Sequence, residues 1–181
     1  VAGITALLTE PGRVTGKPFR LRVNEKKSFQ GSIVLGMGFV LTPAEAEALI
    51  AQNPANRDCL FPYLNGEDLN SRSNQSPSRW VINFFDWPLN RTGTGCWATA
   101  DEKQRKEWLR AGIVPSDYSD HVVTDYPDLL AVVAERVKPE REKNNDAGGR
   151  KYWWRFLRPR GELYATIAEM RRYLVHPLRK R

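Results

Sequence analysis

With 181 residues, the chain is long enough for one domain or slightly more and for a buried core that needs no disulfide or metal support. Hydrophobic residues make up 41% and charged residues 27%, which excludes a disordered chain, and no apolar run approaches the roughly 18 to 20 residues of a membrane-spanning helix. The formal charge of +7 is uneven: residues 138–181 hold 13 Lys or Arg against 5 Asp or Glu, a net of +8, leaving 15 against 16, a net of −1, for residues 1–137.

Residues 4–8 and 19–23 read as short strands around the turn-rich Glu10-Pro11-Gly12-Arg13, and Phe19 to Val23 alternates as a half-exposed strand should. The apolar, glycine-punctuated stretch 32–39, centred near Ile33, is a further strand candidate. It runs into Thr42-Pro43-Ala44-Glu45, where Thr42 can cap a helix, Pro43 suits its first position and Glu45 can close a capping box, so a helix is expected over 43–51. A turn at 53–56 precedes the apolar Leu60-Phe61-Pro62-Tyr63-Leu64, and residues 65–78, rich in Asn, Ser, Gly and Asp, read as a polar loop. Residues 80–85 form the strongest strand candidate.

Residues 90–124 differ in character and read as an excursion from the main body. A charged helix over 101–111 is ended there by Gly112 and followed by a Pro-Ser-Asp turn. Asp125-Tyr126-Pro127 opens another helix with an apolar stripe of Leu129, Leu130, Val132, Val133 and Val137, which Pro139 should end or kink. In the last helix Leu163, Ile167, Met170 and Leu174 recur at three- and four-residue spacing, which predicts one packed face with Arg171 and Arg172 turned away. The expected fold class is α+β: a small mixed or antiparallel sheet from segments near Ile4, Phe19, Ile33 and Val81, about four helices near Ala46, Lys106, Val132 and Ile167, and a helical C-terminal third.

The densest basic-aromatic run is Arg150-Lys151-Tyr152-Trp153-Trp154-Arg155-Phe156-Leu157-Arg158-Pro159-Arg160. Guanidinium groups offer paired donors to phosphate and aromatic faces can stack on bases, so the run suits a nucleic-acid surface; the same aromatics equally suit a packed core ringed by snorkelling arginines. Catalytic chemistry finds no foothold. Gly31 to Phe39 matches neither a P-loop nor a dinucleotide fingerprint, and Gly36 and Gly38 read better as a bend where backbones approach closely. Glu25-Lys26-Lys27 has a nuclease-like Glu-x-Lys spacing but lacks a second nearby acid other than Glu10, and His121 stands alone. Cys59, Cys96, His121 and His176 are the only cysteines and histidines, too few for a four-ligand zinc spacing or a disulfide framework, and the thiols are expected free in a reducing, cytoplasmic compartment. No signal peptide is visible. The start at Val1 and the basic end Leu178-Arg179-Lys180-Arg181 read as a piece of a longer polypeptide.

Several ordered strings carry a family resemblance. They are Ser28-Phe29-Gln30-Gly31-Ser32 with Val34-Leu35-Gly36-Met37-Gly38-Phe39, then Phe61-Pro62-Tyr63-Leu64-Asn65-Gly66-Glu67-Asp68-Leu69-Asn70, and Ser76-Pro77-Ser78-Arg79-Trp80-Val81-Ile82-Asn83-Phe84. Tyr126-Pro127-Asp128-Leu129, Val137-Lys138-Pro139-Glu140-Arg141 and Tyr152-Trp153-Trp154 complete the set. Together they resemble the target-recognition region of bacterial TaqI-like and MmeI-like adenine-specific DNA methyltransferases of restriction-modification systems, over about residues 26–174 without the excursion. The resemblance implies a segment that contacts duplex DNA and positions it for a catalytic methyltransferase domain of the same polypeptide, which would use S-adenosylmethionine to methylate a flipped adenine. It leaves residues 1–25 as the tail of that preceding domain and residues 26–181 as the specificity segment. Neither the methyl-donor glycine motif nor the Asn-Pro-Pro-aromatic motif occurs, since Asn83-Phe84-Phe85-Asp86 lacks the prolines, so this segment by itself is expected to carry no catalytic, cofactor or metal residues. The candidate phosphate contacts are Arg150, Lys151, Arg155, Arg158 and Arg160, with Trp153 and Trp154 either stacking or holding helices together. Asn65, Asn70, Arg72 and Arg79 form a second candidate surface, because Asn and Arg can make paired contacts to bases. The alternative is an interdomain structural module that docks on the methyltransferase domain without touching DNA.

Overall fold

The computed structural model describes residues 22–175 apart from 35, 159 and 173. The chain divides into two compact units, Val1–Gln30 and Gly31–Arg181. In the first, the described residues hold one 3-10 turn at Arg22–Asn24. The strands expected near Ile4 and Phe19 lie outside the described residues.

The second unit is α+β. Its main sheet has three antiparallel strands, β1 (Val40–Leu41), β2 (Leu60–Tyr63) and β3 (Arg79–Ile82), in the order β1-β3-β2. β3 is central because its Trp-Val-Ile run can be covered on both sides, with Val81 opposite Val40 and Phe61, and Ile82 opposite Leu60. Pro62, which has no N–H to give to a ladder, sits on edge strand β2 opposite Trp80. The strand expected at Ile33 is absent: the half-buried Ile33 and Val34 enter no ladder, and the first described strand starts only at Val40, after the Gly36–Gly38 bend.

Helix α1 (Pro43–Gln52) starts as its sequence dictates. Thr42 Oγ1 accepts from Glu45 N at 3.2 Å while Glu45 Oε2 accepts from Thr42 N at 2.8 Å. Residues 65–78 are not wholly a loop, because α2 (Gly66–Ser71) forms within them. Asn65 Oδ1 accepts from Glu67 N at 2.7 Å and Asp68 N at 3.1 Å, satisfying the orphan donors of a first turn that composition alone reads as coil.

In the excursion, β4 (Asn90–Gly93) and β5 (Ile113–Pro115) pair in parallel around α3 (Glu102–Ala111). Asp101 caps α3 at Gln104 N (2.7 Å), and Gly112 ends it in the left-handed region at φ 77°. Val114, Tyr118 and Val122 make a small core of their own with Trp97, Trp108 and Leu109. Arg91 fastens this unit by donating to Tyr118 O (2.9 Å), Asp120 O (2.7 Å) and the Asp125 carboxylate.

The apolar stripe after Pro127 becomes α4 (Pro127–Arg136), and the chain breaks at Val137 before α5 (Lys138–Glu142), as Pro139 requires. Leu129, Val133 and Val137 join Phe39, Leu41, Leu60, Ile82, Phe84 and Trp154 in the main core. Gly38 lets the chain cross the end of α4, since a Cβ there would lie 2.6 Å from Val137 Cγ2 and 2.9 Å from the Arg136 carbonyl carbon. Two short helices follow, α6 (Ala147–Lys151) and α7 (Gly161–Ile167). The last helix is therefore shorter than its periodicity suggests: Met170 is 50% and Leu174 fully exposed, so the outer half of the apolar stripe has no surface in the described chain to pack on. No helix among the described residues is long and apolar enough to cross a membrane.

Candidate nucleic-acid interface

The basic C-terminal segment is bolted to the core by two of its own arginines. Arg141 is buried at 5% exposure; its Nη1 donates to Arg155 O at 2.7 Å and Tyr152 O at 3.3 Å, and its guanidinium lies 5.3 Å from the Phe39 ring centre. Arg155 turns inward too. Its Nε and Nη2 donate to Trp87 O at 3.0 and 2.8 Å, and its guanidinium lies 5.0 Å from the Tyr152 ring centre and 5.2 Å from that of Trp154. Burial pushes the pKa of both guanidinium groups below the ordinary arginine value, because loss of hydration disfavours the charged form more than the nearby acids restore it. Arg155 is thus part of the fold, in place of the phosphate contact expected of it.

The aromatics of the run serve packing. Trp154 is 3% exposed, donates Nε1–H to Trp87 O at 3.1 Å and fits against Gly112, where a Cβ would stand 2.9 Å from its ring. Trp153 is half-buried beneath Lys138 Nζ, 5.3 Å from its ring centre. Between these anchors Arg150, Lys151 and Arg158 are exposed, and none makes an ion pair among the described residues. Arg150 Nη1 donates to Asn144 O at 2.6 Å, which orients the group on the surface. Lys151 Nζ sits 5.1 Å from the Tyr152 ring centre. Arg160 is half-buried immediately before α7.

The second candidate surface is dispersed by its local bonding. Asn65 is committed to capping α2, and Asp68 Oδ2 closes that turn by accepting from Asn65 N and Ser78 N, each at 3.3 Å. These bonds, led by the Ser78 side chain, hold the Asp68 carboxyl below its ordinary pKa. Arg72 Nη1 donates to Ser76 O, Ser76 Oγ and Pro77 O at 3.1, 3.1 and 3.2 Å and braces the loop. Asn70 is exposed on α2. Arg79, half-buried at the head of β3, shares a groove of about 510 Å³ with Arg72, Glu45, Glu67 and Met37. Acids line this groove as well as arginines, so it lacks the one-signed field of a phosphate track.

Other polar clusters have structural work. Tyr126 Oη donates to Asp58 Oδ2 at 3.1 Å and stands 3.1 Å from His121 Nδ1, while the imidazole stacks on Trp87 at 4.8 Å; this chain of contacts was hidden because its members lie up to 68 residues apart. Asp117 Oδ1 accepts from Trp97 N (2.7 Å), and its Oδ2 from Ala98 N (3.0 Å) and Cys96 Sγ (3.1 Å), bonds that hold its carboxyl down at about 2. Burial raises the Cys59 thiol to about 12 and makes it a packing residue. Among the described residues no group of three or more His, Cys, Asp or Glu side chains is placed to hold a metal ion.

No protein-family model, curated protein or solved structure matches the chain.

Proposed function

We propose that this chain is a DNA-contacting specificity segment of a bacterial N6-adenine DNA methyltransferase or bifunctional restriction-modification enzyme. It contacts duplex DNA and presents the target to a catalytic domain outside this chain, where S-adenosylmethionine supplies the methyl group. The resemblance of the ordered strings supports the methyltransferase part of this reading. The DNA part rests on one observation: Arg150, Lys151 and Arg158 are exposed on a segment anchored through Arg141, Arg155 and Trp154, with no acid neutralising them among the described residues. A fixed base carrying solvent-facing cations suits phosphate binding, because the duplex backbone rewards positive charge without demanding one register.

A second reading has an observation of its own. The exposed Met170 and Leu174 continue the α7 stripe and suit a module that docks on the methyltransferase domain without touching DNA. Binding of the full 181-residue chain to a mixed-sequence duplex across a salt series separates the two. The DNA-contacting reading expects log affinity to fall linearly with log salt, and the triple variant Arg150→Ala, Lys151→Ala, Arg158→Ala to flatten the slope by about 0.9 for each phosphate that is no longer neutralised. No binding at low salt, or an identical slope in the triple variant, sinks that reading and leaves the docking module.

A further inference from the structure

Helix α3 is built to be held from one side. None of its residues is buried, and it packs on β5 and the excursion core through Arg105, Trp108 and Leu109. Arg105 is fixed in turn: Nε donates to Trp97 O and Nη2 to Ala98 O, both at 3.1 Å, and its guanidinium lies 5.4 Å from the Trp97 ring centre. At about 3.6 residues per turn the opposite side carries Lys103, Glu107 and Arg110, spaced i, i+4, i+7 along one stripe. All three are exposed, and their side chains make no hydrogen bond or ion pair among the described residues; Lys106 is engaged with Glu102 instead.

The helix is also joined to the basic segment. Tyr152 Oη donates to Arg110 O, 42 residues away in the chain, while Lys151 lies over the ring of that same tyrosine. Gly112, which ends α3, is the residue that Trp154 packs against. The C-terminal end of α3 and Lys151 therefore meet at Tyr152, although the sequence places them in different regions.

Resting on the DNA-contacting reading above, we infer that α3 is the base-reading element: it enters the major groove and presents Lys103, Glu107 and Arg110 to base edges, while Arg150, Lys151 and Arg158 hold flanking phosphates. The ten-residue helix is about 15 Å long, and the major groove is about 12 Å wide and admits a single helix. The mixed sign of the stripe is the informative feature. A surface that touched only phosphate would be penalised by Glu107, whereas a carboxylate accepts from the cytosine amino group, and Arg or Lys donates to guanine O6 and N7. The ligand is accordingly a G·C-containing duplex.

The test selects binders for the full chain from a random duplex library and compares wild type with Glu107→Gln and Arg110→Ala. These exposed positions leave the melting temperature unchanged, which circular dichroism checks. The wild-type chain is expected to enrich a motif containing G·C pairs, and each variant to lose about tenfold discrimination at one position, a different one for each. If all three proteins enrich the same motif and differ only in affinity, or if wild type binds with steep salt dependence and enriches nothing, α3 does not read bases while the DNA-contacting reading stands. If wild type fails to bind at low salt, both fall.

Discussion

Two arginines three residues apart, Arg155 and Arg158, show how little a side chain's type says about its work. Arg155 turns inward to the Trp87 carbonyl between two aromatic rings, and Arg158 projects into solvent. Replacing Arg155 with Ala leaves the Trp87 carbonyl with the Trp154 indole as its remaining partner and strips a stacked plane from the core edge. Hydrogen bonds from a charged donor to a partly buried acceptor are worth roughly 1.5 to 3 kcal/mol, so Arg155→Ala should lower unfolding free energy by about 2 kcal/mol. Arg158→Ala should leave it within about 0.5 kcal/mol of wild type. Urea unfolding of the two variants measures both; equal stability would show that the inward guanidinium contributes nothing net.

Four helices, α1, α2, α3 and α6, start where the sequence supplies a side-chain cap. At α1, Thr42 and Glu45 exchange bonds across the first turn, and Glu45 Oε1 also accepts from Arg136 Nη2 at 2.8 Å, linking the start of α1 to the last turn of α4. The backbone N–H of Thr42 and the Arg136 guanidinium hold the Glu45 carboxyl down at about 2. Thr42→Ala should cost about 1 kcal/mol, and Thr42→Ser should restore most of it, because the hydroxyl is the group that accepts from Glu45 N. Thermal melts of the pair decide this, and a Ser variant as unstable as Ala would assign the loss to the threonine methyl instead. The same logic makes α2 intelligible after the fact. Asn65 and Asp68 form a reciprocal cap inside a stretch whose composition otherwise reads as loop, a signal that was present but outweighed by its Asn, Ser and Gly neighbours.

At the scale of the whole second unit, stability is concentrated around β3 and α4, which meet in the main core, while the excursion closes on its own smaller cluster and α7 has no buried residue. Hydrogen exchange should follow that division. Amides of Val81, Ile82, Leu129 and Val133 should exchange slowest, those of α3 faster and those of α7 fastest, and uniform protection across all three would contradict the two-core arrangement. Much of this framework was legible in the chain. The α+β class, a strand at Val81, the four helices near Ala46, Lys106, Val132 and Ile167 and the break before Pro139 follow from local periodicity, capping and proline geometry, which act within a few residues. The concentration of positive charge in the last quarter is likewise a property of the sequence itself. Which cations reach solvent was decided by tertiary structure alone. Arg141 and Arg155 turn inward because carbonyls of Tyr152, Arg155 and Trp87 need donors where the core closes, a demand created by residues up to 68 positions away. The same long-range packing brings Tyr152 to the end of α3 and builds β2 from a proline-containing run that only an edge position tolerates. Local physics selects elements because its interactions span a turn; the surface those elements present depends on which faces the rest of the chain buries.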